Sequence, residues 1–377
     1  MKEEEWIDNW KSFKYNLPHQ KPPFSKKNWG NINHSLCSYQ GKLKPSIAHH
    51  LVMTFIPKNG VVFDPFSGVG TIPFEAALNG RYSFGMDISP IAYYISQAKV
   101  GISYLEDACN YISALQSYID NGTISIYEID KQGNFGLNKT LKEYYHPDTF
   151  KEILLARNFF LAYPPRNASE MIVMASMLHI LHGNRPYALS RKSHPITPYA
   201  PTGDFVYKNI IEKLTEKVSK AFSVNTPKEF IPGKIFLQDS TITWPDEICD
   251  LDAIITSPPF FDSTRFYSAN WIRLWFSGWK KEDFSIMPTK YIDEIQKKDI
   301  HIYDRIFAQG KERLKSDGVF VMHLGKSKKC DMGQVLSNLA SRYFNNMELF
   351  HEDVEHCQKF GIKDLGTVTD HQYLVLW

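Results

Sequence analysis

At 377 residues, with 43% apolar and 14% aromatic side chains, the chain has material for one large α/β domain carrying an insertion, or for two domains. A charged fraction of 22% excludes a disordered polyelectrolyte, and no apolar run is long enough to span a bilayer. Five cysteines (Cys37, Cys109, Cys249, Cys330 and Cys357) include no CxxC pair, so neither a zinc module nor a disulfide framework is expected.

The first 35 residues are rich in Pro, Asn and Lys and read as an irregular arm. MKEEEWIDNW has no signal-peptide pattern, so a cytoplasmic location is expected. The net charge of +2 is unevenly spread: from Trp10 to Phe63 there are eight lysines and no acidic residue. Such a segment suits phosphate contacts, and equally a solvated lysine-rich surface. Ser46 to Phe55 has helical apolar spacing. Val61-Val62-Phe63 reads as a buried strand, Ile72 to Leu78 as a helix, and Tyr82 to Ile88 as a second strand. This β-loop-α-β unit predicts a doubly wound, mostly parallel sheet.

Between the first strand and its helix lies Asp64-Pro65-Phe66-Ser67-Gly68-Val69-Gly70-Thr71. Gly68 and Gly70 have no Cβ, so the backbone can turn tightly and come close to a ligand. The following helix offers free N–H groups to an electron-rich partner. Asp87, seventeen residues after Gly70 and followed by Ile88, ends the second strand, where a carboxylate can accept both hydroxyls of a ribose. A nicotinamide-dependent oxidoreductase competes for this pattern, but Pro73 stands where its third glycine would be, and no hydride-transfer acid is apparent.

Residues 101–233 carry helical stretches, among them Ser169 to Leu181 and Lys208 to Phe222. Between these two lies an irregular basic loop holding Arg185, Arg191, Lys192 and His194, interleaved with tyrosines. Its arginines and lysines have the chemistry to meet phosphates or guanine edges. Strand patterns resume at Lys234 to Leu237, which runs into Asp239-Ser240, and at Leu251 to Ile255. Two more follow, at Gly318 to Gly325 and Tyr373 to Trp377.

The fourth strand runs into Thr256-Ser257-Pro258-Pro259-Phe260. An exocyclic amine of a nucleobase is a poor nucleophile because its lone pair is delocalised into the ring. An enzyme that alkylates it needs two rigid acceptors, one for each N–H. The Ser257 hydroxyl and the Pro258 carbonyl can supply them, and the double proline stiffens the loop. Phe260 is placed to stack on a base that has left its helix. After the loop, Arg265, a further candidate for nucleic-acid contact, lies in a mixed aromatic and polar stretch, whereas Trp271, Leu274, Trp275 and Phe276 have the spacing of core packing. His323 reads as a core or rim histidine. Carbon-5 methylation of cytosine needs a Pro-Cys thiolate, and none occurs.

On the DPFSGVGT and TSPPF loops, the chain resembles the S-adenosylmethionine-dependent DNA amino-methyltransferases. The resemblance covers residues 40–100 and 234–377 and is specific only at these two loops. It implies a class I methyltransferase fold, Rossmann-like, interrupted by a largely helical insertion. The organisation expected is a basic arm at 1–35, a catalytic domain at 36–100 and 234–377, and a target-recognition insertion at 101–233.

The resemblance further implies that Tyr39 and Lys44 cover the methionine tail of S-adenosylmethionine and that Asp64 lies near its methionine end. Asp87 would hold the ribose, and Asp239 with Ser240 would meet the adenine amino group. Ser in first place of the catalytic loop is most often seen with cytosine N4; Phe260 departs from the usual Tyr and loses its hydroxyl. The activity implied is site-specific N4-cytosine methylation of a flipped-out base in double-stranded DNA, with no metal and no membrane. Adenine N6, an RNA base, or a non-catalytic cofactor-binding protein remain alternatives. The recognition sequence and any cognate restriction endonuclease are not legible.

Overall fold

The computed structural model describes residues 3–26, 29–183, 186–192, 200–261, 265–353 and 368–377. Its frame is a seven-stranded sheet of β1 (Val61–Asp64), β2 (Tyr82–Asp87), β3 (Lys234–Leu237), β4 (Leu251–Thr256), β5 (Leu314–Ser327), β6 (Met347–Asp353) and β7 (Val368–Leu376). The strand order is β3-β2-β1-β4-β5-β7-β6, and only β7 runs antiparallel to its neighbours. Strand order reverses between β1 and β4, the switch point at which open α/β sheets hold ligands. The expected doubly wound, mostly parallel class I architecture is borne out. The four strands read before residue 256 fall within a residue or two of their expected bounds.

The amino terminus differs from expectation. Glu3–Asn16 form a helix, α1, where an irregular arm is read from composition. Three glutamates in its first turn and Lys14 in its last suit the helix dipole. Trp6, Trp10 and Phe13, at i, i+4 and i+7, are buried on one face. They meet Phe55 of α2 (Pro45–Phe55), with Trp6 and Trp10 each 5.5 Å from its ring, and Tyr373 of β7, 5.9 Å from Trp10. The lysines of this region are partly spent within the chain. Lys14 pairs with Glu348, Lys11 with Asp8, and Lys42 and Lys44 donate to the carbonyls of His34 and His19.

Beside α2 on the same face lies α3 (Thr71–Leu78), with α4 (Pro90–Val100) against it, followed by the run α5 (Leu105–Asn121), α6 (Ile126–Gly133), α7 (Leu141–Tyr144), α8 (Pro147–Ala162), α9 (Ala168–Ile180) and α10 (Ile210–Ala221). Helix α9 is buried all round, as its unbroken apolar pattern requires. Its core is continuous with Ile91 and Ile95 of α4 and with Trp271, Leu274, Trp275 and Phe276 of α12 (Trp271–Phe276), so the inserted helices share one apolar cluster with the sheet layer. The chain between catalytic loop and β5 supplies α11 (Phe266–Ala269), α13 (Asp283–Ile286), α14 (Ile292–Ile295) and α15 (Ile302–Arg313), and α16 (Met332–Ala340) follows β5.

Because Trp10 is 2% exposed and wedged between α2 and β7, Trp10→Ala is expected to cost about 3–5 kcal/mol of unfolding free energy, read from urea denaturation.

Candidate active site

The first two loops at the switch point are joined directly. Asp64 ends β1, Thr256 ends β4, and the Thr256 hydroxyl donates to Asp64 Oδ1 at 2.6 Å. The same oxygen accepts from the Phe66 amide at 3.1 Å. Asp64 is 3% exposed, and burial pushes its carboxyl up to about 7, against the lowering effect of those two donors.

The loop from Pro65 to Thr71 then turns through Gly68 (φ +49°) and Gly70 (φ +65°), backbone conformations that favour glycine. A Cβ at Gly70 would strike Ser96 Oγ of α4 at 2.2 Å, which presses the loop onto that helix. A Cβ at Gly68 would meet only Tyr39, at 3.8 Å, so this stretch of backbone stays open to a ligand. Asp87, at the end of β2, accepts from the Gly68 amide at 2.9 Å and the Ser89 amide at 2.8 Å. It braces the glycine turn while burial pushes its carboxyl up to about 6.

Around Asp87 gather Tyr39, Tyr291 and Asp293, the last two unassigned from sequence. Burial first, and the nearby carboxyls of Asp87 and Asp293, push the Tyr39 phenol well above its usual range. The Tyr39 ring lies 5.1 Å from Phe266, and Phe266 stacks on Tyr291 at 5.7 Å. Asp293 is 3% exposed and accepts from the Phe266 amide. Ser67 and Ser89 keep buried hydroxyls with no hydrogen-bond partner among the described residues. A glycine cradle without Cβ atoms, unpartnered buried hydroxyls and a carboxylate at the ends of β2 and β3 fit an S-adenosyl nucleoside with its ribose at Asp87.

The other residues expected at the cofactor are engaged within the chain. Asp239 follows β3 and spends Oδ1 on the Thr241 amide and hydroxyl; the Ser240 carbonyl accepts from Trp244 Nε1. Ile88 packs partly buried at the edge of the large core. Lys44 turns its ammonium to the His19 carbonyl.

In the catalytic loop, the Ser257 Oγ lies 3.1 Å from His323 Nδ1 on the adjacent strand β5. Burial holds His323 well below the ordinary imidazole range, which favours a neutral ring, and in the tautomer protonated on Nε2 its Nδ1 accepts the serine proton. The lone pairs of the hydroxyl are then left for another donor. The Pro259 carbonyl is taken by Gln296 Nε2 at 3.1 Å, itself fixed by the Tyr303 hydroxyl at 2.9 Å. The Pro258 carbonyl accepts no hydrogen bond from the described residues. Phe260 lies in a bay made by Gly325, where a Cβ would stand 2.6 Å from its ring, and 5.6 Å from His323. One face of that ring is therefore committed to β5.

A lone histidine in an apolar strand carries no local signal, and the contact of His323 with Ser257 appears only once β4 and β5 pair, Thr256 opposite Met322.

The expected nucleic-acid residues do not form one patch. Arg185 and His194 lie outside the described residues, as do residues 262–264. Arg191 donates to the Gly203 and Glu143 carbonyls and covers the Phe205 ring at 4.1 Å, so its guanidinium rivets the loop internally. Lys192 is exposed. Arg265 stands exposed at the start of α11, 3.3 Å from Glu294. Among the described residues there is no His, Cys, Asp and Glu group able to hold a metal ion, and no helix long and apolar enough to cross a membrane.

Comparison with known proteins agrees with this geometry. Residues 5–98, which include the glycine loop and Asp87, match the N6/N4 methyltransferase family model, described as DNA methylase. The Type II methyltransferase M.MvaI of Kocuria varians is 22% identical over 270 residues, covering 67% of this chain. The chain spans 58% of that relative's length. Among solved structures, a TehB-like SAM-dependent methyltransferase from Corynebacterium glutamicum aligns with a TM-score of 0.34 at 10% identity, over 99% of this chain and 96% of its own. The rRNA methyltransferase aviRa from Streptomyces viridochromogenes gives the same score and identity over 94% and 93%. Likenesses that distant say nothing further about this chain. The resemblance to the amino-methylating DNA methylases is borne out, and S-adenosylmethionine is the cofactor that goes with it.

A neutral Asp64 makes a pH-dependent contribution to stability. Its folded value of about 7 lies above the ordinary 3.8, so the contribution is complete below about pH 4 and is lost as pH rises through 7. Asp64→Asn keeps the acceptor and cannot ionise. Its melting temperature is expected to match the wild type near pH 4 and to exceed it by several degrees at pH 8; equal melting at both pH values would contradict the assignment.

Proposed function

We propose that this protein is a DNA methyltransferase that transfers a methyl group to an exocyclic amine of a base, with N4 of cytosine in double-stranded DNA as the target. The observation that carries the reading is the arrangement at the switch point, where the glycine loop and the Ser257-Pro258 acceptors are tied together by the Thr256 to Asp64 bond.

Bound S-adenosylmethionine supplies an electrophilic methyl group on a sulfonium. The chain's own residues do the rest. Asp87 and the Gly68 backbone hold the nucleoside end, with Tyr39 closing over it and Asp239 beside the adenine. Ser257 donates its proton to His323 and turns its lone pairs outward. Its oxygen and the Pro258 carbonyl each accept one N–H of the target amine, which draws the nitrogen toward a tetrahedral geometry and frees its lone pair. Gln296 holds Pro259 so that the loop keeps its shape. Phe260 lies beside these acceptors and stacks on the flipped base with the face that β5 leaves open.

The cytosine assignment rests on Ser257 standing first in the loop. The inserted helices, with Lys192 and the basic loop, are the target-recognition region in this reading, and Arg265 lies beside the catalytic loop to meet a phosphate. The Type II kinship of the relative makes a cognate restriction endonuclease part of the proposal.

The test is incubation with labelled S-adenosylmethionine and methyl-free genomic DNA, followed by mass spectrometry of the digested nucleosides. N4-methylcytosine is expected. N6-methyladenine would move the target to adenine, and label only in RNA would refute the DNA assignment. Ser257→Ala is expected to lower the rate at least a hundredfold with cofactor affinity within about twofold of wild type. A variant that instead loses cofactor binding would show that Ser257 serves the other loop.

A further inference from the structure

Beyond Ser257, the imidazole of His323 faces a second one. The His371 ring on β7 stands edge-on to it, with centroids 4.9 Å apart and planes at 87°, and both rings border Phe260. Strand register sets His371 opposite Gly325 of β5 and opposite Glu352 of β6. Among the described residues each ring keeps one buried nitrogen without a hydrogen-bond partner, Nε2 of His323 and Nδ1 of His371.

These two orphan atoms are complementary. With His323 Nδ1 accepting from Ser257, the ring proton of His323 sits on Nε2, which is a donor. A His371 protonated on Nε2 presents Nδ1 as an acceptor. Behind them, the carboxyl of Glu352 is bonded by His19 Nε2 at 2.8 Å, Gln20 Nε2 at 2.5 Å and the Tyr373 hydroxyl at 2.8 Å. His19, Gln20 and Tyr373 hold Glu352 down to about 2, against its burial, and keep it a carboxylate. The charged groups facing His371 are Glu352, His19 and Asp370; those facing His323 are His371, Glu352 and His19. Burial holds both rings below their ordinary range, so both are neutral and able to take a proton.

We propose that His323 and His371 form a proton-release path for the methyl-transfer reaction, with His371 the positioning residue that draws the proton onward and Glu352 the fixed charge that stabilises it there. The inference rests on the reading of Ser257 given above. As the N–C bond forms and the C–S bond of the donor breaks, the sulfonium becomes a thioether and the amine must lose one proton. That proton passes to Ser257 Oγ while the serine proton moves to His323 Nδ1. The Nε2 proton of the resulting imidazolium then moves to His371 Nδ1, and from there to solvent. Transfer requires the His371 ring to turn about its Cβ–Cγ bond so that Nδ1 meets the Nε2 proton of His323.

The experiment is single-turnover methylation of methyl-free genomic DNA by full-length wild type, His371→Asn and His371→Ala, across pH and with added imidazole. Asn keeps a polar group of similar reach but cannot be protonated. Both variants are expected to be slowed about tenfold or more, with cofactor affinity and melting temperature retained. The His371→Ala rate is expected to rise with imidazole concentration while the wild-type rate does not. A folded His371→Asn protein at the wild-type rate overturns the path, as does a slowed His371→Ala indifferent to imidazole, which marks a packing role. Wild-type protein that labels no DNA base overturns the functional reading, and this inference with it.

Discussion

The hydrogen bond from Thr256 to Asp64 crosses the line where the sheet reverses its strand order, and both loops of the site hang from it. Parallel strands β1 and β4 fix their ends side by side, but a strand end does not by itself fix the loop that leaves it. A buried carboxyl that keeps its proton up to about pH 7 can, below that, bind a hydroxyl and an amide without the desolvation cost of a charge. The glycine turn therefore begins from the same atom that limits the double-proline loop. A displacement of either loop is felt by the other.

Around this joint the chain fills its polar valences locally. Asp87 is engaged by Gly68 and Ser89, Pro259 by Gln296, and Ser257 by His323. What is left unfilled among the described residues is informative: the Pro258 carbonyl, the buried serine hydroxyls beside the glycine turn, and the two ring nitrogens behind Ser257. Rigid surroundings with a few open valences are what preorganised sites require, since the protein then need not rearrange as charge develops.

Much of this was legible in the sequence because it is local. Two glycines two residues apart, a carboxylate at the next strand end and a double proline after an apolar run are each short-range demands on the backbone. Trp6, Trp10 and Phe13 were also a local pattern, but the lysines and prolines that follow mask a helix only 14 residues long. The partners of Ser257 could not be read at all. His323 is 66 residues away and reaches the serine only through strand pairing, and Asp293 lies in a four-residue helix without periodicity. In the basic loop Arg191 donates to the Gly203 and Glu143 carbonyls, contacts that the loop's charge alone does not foretell.

The seat of α1 is made by chain far from it. Trp10 donates to Glu348 across 338 residues, and its aromatic neighbours include Phe350 and Tyr373 on the hairpin formed by β6 and β7. During synthesis the helix emerges early and its dock emerges hundreds of residues later. Until then only α2, through Phe55, is there to cover the two indoles, and the rest of the amphipathic face stays open. Closing that gap joins points near opposite ends of the chain, a contact of the highest sequence separation and hence among the slowest to form. Because His19 follows α1 and binds Glu352 on the same hairpin, the docking of α1 is also what completes the charge environment behind the catalytic loop.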